Sequence, residues 1–199
     1  MSEYIKEPKK IPLFLRLGIW IAERKIKKPV IAARLLAWYP KAALGSGIME
    51  SLVAHEEGAV TKRLLQLIRM QVSIKASCPF CIDMNSNAYE ENNITNEEIE
   101  SLQGLKPIEE VTSFAKTERI ALNYTNSLTM TPISIDSALV NQLVETFTER
   151  EVVVIVSTIA QVNFWTRILQ GFGIAPEGFT KNCAILKLEN YSTRRKNDV

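Results

Sequence analysis

An all-α fold is predicted for this chain by three observations: apolar residues recurring at helical spacing through most of its length, two Thr-x-x-Glu boxes that each open such a segment, and glycines or prolines that close them. In chain order, residues 1–10 carry charges and Pro8 without an apolar period and read as disordered. Residues 12–27 read as a basic amphipathic helix, and 30–38 as a second short helix that stops before Pro40. A helical pattern resumes over 42–54. The segment 61–75 is apolar almost all round, through Leu64, Leu65, Leu67, Ile68, Met70, Val72 and Ile74, which predicts burial. Its polar residues Lys62, Gln66, Arg69 and Ser73 form one stripe, either facing solvent or lining a site. A helix opening near Pro79 is expected to end at Asn92-Asn93, because asparagine tolerates the left-handed geometry that closes helices. Thr95-Asn96-Glu97-Glu98 opens a short helix stopped by Gly104, and the patterns over 113–128 and 134–147 are separated by a break at Pro132. Thr148-Glu149-Arg150-Glu151 opens a strongly apolar run with Gly171 as its stop. The β-branched start of that run, Val152 to Val156, could be a strand, but length and the capping box favour a core helix.

With 199 residues and 46% hydrophobic content, the chain is sized for one core. Its net charge of +2 hides an asymmetry, since Lys6, Lys9, Lys10, Arg16, Arg24, Lys25, Lys27, Lys28, Arg34 and Lys41 all fall in the first fifty residues. Three cysteines are an odd, sparse set, which argues against a secreted disulfide framework and for a reducing compartment. Residues 11–22 are too short and too interrupted for a membrane span, and no signal-peptide cleavage site follows them, so a cytoplasmic location is expected. The basic amphipathic segment 11–28 could dock on the protein or a second subunit, or lie on a membrane surface. A nucleic-acid role is not expected, because these cations belong to an amphipathic arm rather than to a nucleic-acid module. Without a Gly-rich phosphate loop or a zinc-ligand cluster, no cofactor and no metal are expected.

The chemistry is concentrated in Ser77-Cys78-Pro79-Phe80-Cys81-Ile82-Asp83-Met84-Asn85. Proline is favoured at the first helical position, which puts Cys78 at or beside the N-cap, where unpaired N–H groups and the helix dipole favour a thiolate. Cys81 follows within disulfide reach. Helical steps put Cys78, Cys81 and Asn85 on one face, with Asp83 pointing elsewhere. Cys183 has no partner motif and reads as a free thiol, and His55, the sole histidine, reads as a surface residue.

An apolar helix over Leu64 to Ile74, Cys78-x-x-Cys81 opening the next helix, and a later helix ending in Asn163-Phe164-Trp165-Thr166-Arg167 together resemble the carboxymuconolactone decarboxylase superfamily, in its alkylhydroperoxidase D (AhpD)-like branch, over roughly residues 35–173. The resemblance implies an AhpD-like helical bundle over 35–175, with an N-terminal helical arm over 1–34 and a tail over 176–199. It also implies a homo-oligomer, and a redox partner or a small disulfide or hydroperoxide as substrate. Family roles would make Cys81 the thiol that attacks peroxide and Cys78 the one that resolves the sulfenic acid as a disulfide. The redox branch carries a glutamate twelve residues before the first cysteine and a histidine four after the second; here those positions are Gln66 and Asn85. Carboxamides donate hydrogen bonds but carry no proton near neutral pH, and positioned acid–base groups are worth about a hundredfold to ten-thousandfold in rate. The expected activity is therefore thiol–disulfide exchange, which needs only thiolate and an accessible sulfur, with weak peroxide reduction. The alternative is a non-catalytic assembly or binding protein that has lost the Glu/His relay; lactone decarboxylation lacks any placed acid or base.

Overall fold

The structure, a computed structural model, describes residues 4–180, so Cys183 and the chain beyond 180 lie outside the described residues. Among these residues the only regular elements are helices: α1 (Leu13–Ile26), α2 (Ile31–Leu36), α3 (Pro40–Leu52), α4 (Lys62–Lys75), α5 (Pro79–Asn85), α6 (Asn96–Leu102), α7 (Lys116–Thr129), α8 (Ser137–Thr146) and α9 (Glu149–Phe172), with 3₁₀ turns at Tyr89–Asn92 and Ile108–Glu110. The all-α expectation holds.

Helix α4 is the axis of the bundle, packed between α9, α7 and α5. Thr61 caps it by accepting the Leu64 N–H at 3.2 Å. Its near-continuous apolar surface serves two clusters at once. Leu67, Met70 and Ile74 pack with Ile82, Ile99, Leu102, Phe114 and Leu122 on one side. On the other, Leu64, Leu65, Ile68 and Val72 pack with Ile120, Leu143, Phe147, Ile155 and Ile159.

Helix α9 resolves the strand-or-helix alternative. Its buried positions Ile155, Thr158, Ile159, Val162, Thr166 and Leu169 recur every three or four residues, whereas Val153 in the β-branched run is exposed. By length and composition this helix could cross a membrane; here it buries its apolar stripe against α4. It closes at Gly173, two residues beyond the expected stop, where φ is 71°.

Both capping boxes form as read. At the α9 start, Thr148 Oγ1 accepts the Glu151 N–H at 3.3 Å, while the Glu151 carboxylate accepts Thr148 N–H at 2.8 Å and reaches across to Ala59 N–H at 2.5 Å. Glycine is favoured at position 58 beside it: φ is 50°, and a Cβ there would collide with Glu151 Oε1. The Ala59 N–H, then that of Thr148, hold the Glu151 carboxyl below its ordinary value of 4.5. Because the folded-state value is the depressed one, this stabilisation is fully present above pH 4.5 and is lost as pH falls through the folded value. Thr148→Ala is expected to cost about 0.5–2 kcal/mol in urea unfolding, and Glu151→Gln to flatten the acid limb of the stability profile.

Helix α5 ends earlier than expected. It stops at Asn85, and Ala88 (φ 51°) and Asn93 (φ 54°) bracket a 3₁₀ turn instead of closing one continuous helix. The cause is Tyr89, which turns into the core with Ile94 and Ile99.

Candidate functional site

The chain reverses between α4 and α5 through Ser77, whose φ of 49° is left-handed. This turn directs the Cys78 N–H onto the Ser73 carbonyl at 3.1 Å and sets Cys78 as the N-cap of α5, with Pro79 at the first helical position. Cys78 Sγ accepts the Cys81 N–H at 3.4 Å, so the sulfur occupies the capping position usually held by a hydroxyl or carboxylate oxygen. Cys78 and Cys81 are joined as a disulfide, with Cα atoms 5.3 Å apart.

The pair is 1% and 2% exposed and lies in an apolar shell. Ala32 and Leu35 of α2 cover it from the N-terminal side, and Leu169 of α9 and Ile174 complete the shell, with Ile31, Phe80, Trp165 and Phe172 packed around them. The boundary expected between residues 34 and 35 falls inside α2, so residues assigned to the arm cover the cysteines. Trp165 is anchored by its Nε1, which donates to Glu50 of α3 at 2.8 Å.

Gln66 and Asn85, the positions that the resemblance matches to the family's glutamate and histidine, bond to backbone and to neighbouring polar side chains rather than to the sulfurs. Gln66 Nε2 donates to the Asn85 carbonyl at 3.2 Å and the Asn87 carbonyl at 3.0 Å, and Gln66 Oε1 accepts from Asn92 Nδ2. Asn85 Nδ2 donates to Ser73 Oγ at 2.9 Å, and Ser73 Oγ donates on to the Arg69 carbonyl at 2.7 Å. The polar stripe of α4 thus runs from exposed Lys62 to fully buried Ser73 and seams α4 to the end of α5. His55 is exposed and donates to the Ser51 carbonyl at 2.9 Å, far along the chain from α5.

Asp83 plays a part that sequence reasoning did not find. It points away from the thiols, as expected, and is fully buried. Its carboxylate accepts three backbone N–H groups, from Glu177 (2.9 Å), Gly178 (2.7 Å) and Thr180 (2.9 Å). The segment 174–180 is thereby strapped over α5. Phe179 packs edge-on against Phe80 with centroids 5.8 Å apart, and Lys28 Nζ sits 4.2 Å from the Phe179 ring centre while donating to the Glu177 carbonyl. The available signal was an acid in the otherwise apolar stretch Cys81-Ile82-Asp83-Met84, where an unpaired charge would be costly.

No protein-family profile matches the chain. Uncharacterized protein YdfG of Bacillus subtilis (strain 168) is 26% identical over 140 residues, spanning 69% of this chain and 93% of that protein. Among solved structures, a variant of the debrominase Bmp8 with a cysteine replaced by alanine, in complex with 2,3,4-tribromopyrrole, superposes with a TM-score of 0.75 at 15% identity, covering 93% of this chain and 98% of its own. An uncharacterized peroxidase-related protein from Ralstonia eutropha JMP134, with an alkylhydroperoxidase AhpD core, gives 0.72 at 15% identity, covering 89% and 93%. A protein of unknown function from Agrobacterium tumefaciens, proposed to be the antioxidant defence protein AhpD, gives 0.61 at 22%, covering 71% and 94%. At these identities the likeness is one of fold.

Proposed function

We propose, from the all-α AhpD-like fold it shares with these structures, that the chain is a thiol–disulfide oxidoreductase cycling Cys78 and Cys81, with weak peroxide-reducing activity. The observation that carries this reading is the closed Cys78–Cys81 bond at the start of α5, with Cys78 Sγ receiving a backbone N–H. That donor favours sulfur as an anion, so when an external thiolate attacks Cys81 Sγ, the Cys78 thiolate is the better leaving group. A second external thiolate then releases Cys81. In the productive direction, the Cys81 thiolate attacks a substrate disulfide and expels one half as thiolate; Cys78 attacks the mixed disulfide, closes the pair and expels the other half. With a hydroperoxide, Cys81 takes the terminal oxygen as sulfenic acid, the alkoxide leaves, and Cys78 displaces hydroxide to form the same disulfide.

The peroxide route needs protons delivered to both leaving oxygens. Gln66 and Asn85 carry none, and their amide groups are engaged with the Asn85, Asn87, Asn92 and Ser73 partners. Exchange through thiolates needs less help, and because Leu35, Phe80, Trp165 and Phe172 pack around sulfurs that are 1% and 2% exposed, the shell must open to admit a substrate and its apolar lining favours an uncharged one. The debrominase neighbour, a cysteine-to-alanine variant in complex with 2,3,4-tribromopyrrole, supports the binding of a small ring compound on this fold.

The test is single-turnover reaction of reduced protein with a neutral disulfide and with an organic hydroperoxide, each cysteine being read by mass spectrometry. Reductant-reversible loss of both thiols is expected with each oxidant, faster with the disulfide. Cys78→Ser is expected to trap the mixed disulfide on Cys81, and Cys81→Ser to abolish turnover. Thiols that persist through both oxidants favour a second reading, a non-catalytic assembly or binding protein in which the buried cysteines are packing residues; the structural use of both amides speaks for it.

A further inference from the structure

Helix α1 buries Leu15 and little else, while Leu13, Phe14, Leu17, Trp20 and Ile21 are each more than half exposed. Neighbouring α3 adds Leu44, Ile48 and Leu52, and the turn between α2 and α3 adds Trp38 and Tyr39, all at least half exposed. Together, on two contacting helices and the turn before α3, these ten side chains make a large exposed apolar surface, and contiguous apolar patches larger than a few hundred Å² are rare on monomers. Docking within the chain, one expectation for this segment, accounts for only the inner side of α1.

We propose that this face seats the protein on an anionic lipid surface. The charge around it decides the occupant. Arg16, Arg24, Lys25 and Lys27 stand exposed along α1 and at its end, with Lys9, Lys10 and Lys41 beside it. The acids nearby are outnumbered: Glu7 and Glu23 share the Arg34 guanidinium, at 3.5 and 2.8 Å, and with Glu50 they set three negative charges against Arg34 and these seven further cations. A second copy meeting this face about a two-fold axis would press one cationic rim against another. A bilayer carrying negative headgroups matches both the apolar centre and the positive edge. At 14 residues, α1 is about 21 Å long, too short to cross and suited to lying in the interface, with Trp20, Trp38 and Tyr39 at headgroup depth.

Flotation of the intact protein with vesicles of phosphatidylcholine alone, or with one quarter phosphatidylglycerol, tests the proposal independently of any redox activity. Recovery with the anionic vesicles is expected to correspond to at least tenfold tighter binding, with a blue shift of tryptophan emission, and to fall in high salt. Neutralising Arg16, Arg24 or Lys25 is expected to cost roughly fivefold each. Leu17→Glu with Ile21→Glu, both surface positions whose folding is checked by thermal unfolding, is expected to abolish flotation. A wild-type protein that floats with neither vesicle, or a stable dimer that this double variant splits, overturns the proposal.

Discussion

Arg63→Ala is expected to lower the unfolding free energy by about 3–5 kcal/mol, the largest stability loss anticipated for a single polar substitution in this chain. Arg63 Nε donates to Glu118 Oε1 at 2.8 Å, Nη2 to Glu98 Oε1 at 2.5 Å, and Nη1 to the Asn93 carbonyl at 2.5 Å. Burial opposes the charge on this guanidinium, but the bonds from Glu118 and Glu98 outweigh it and hold its pKa above the ordinary value. Both carboxylates also cap helices: Glu98 accepts Thr95 N–H at the start of α6, and Glu118 accepts Ala115 N–H at the start of α7, each at 2.9 Å. Removing the arginine strands two nearly buried anions where water reaches them poorly. Urea unfolding with an unchanged m-value measures the loss. Arg63→Lys is expected to recover only part of it, since an ammonium cannot reproduce the planar fork. A loss under 1 kcal/mol for the alanine variant would show the cluster to be solvated.

Asp83→Ala is expected to speed reduction of the Cys78–Cys81 disulfide by a water-soluble phosphine on the order of a hundredfold. The bond is buried, so reagent reaches it only when part of the shell opens. Ile174 belongs to that shell, and the segment following it is held by the three N–H bonds to Asp83. Hydrogen bonds to a charged group are worth about 1.5–3 kcal/mol apiece, so weakening closure by about 3 kcal/mol is a modest demand and converts to roughly a hundredfold. Global stability is expected to fall less, because the desolvation cost of the buried carboxylate disappears with it. Phosphine kinetics on the folded protein provide the measurement. An unchanged rate would mean that access runs beneath α2 instead.

The helices and the sulfur geometry were legible because local rules set them. Thr95 and Thr148 boxes, Pro79 at the first position of α5 and the apolar period of α4 each act within one or two turns of chain. What escaped was set by distant residues. Tyr89 is drawn into the core and shortens α5, which no asparagine pair could reveal. Asp83 finds its donors 94 to 97 residues away, and Arg63, one place off the polar stripe read on α4, reaches carboxylates 35 and 55 residues on. The hydrogen-bond partners of Gln66 and Asn85, among them the Asn87 carbonyl and Ser73 Oγ, are likewise set by the fold and not by local sequence.

The link between Cys78 and Cys81 spans three positions of the chain. Both ends belong to the same turn, so cutting it separates no helix from another and frees a loop of only four residues, which chain-entropy reasoning values at about 2 kcal/mol against nearly 5 for a hundred-residue loop. Opening or closing this link therefore leaves every connection between the surrounding helices as it was.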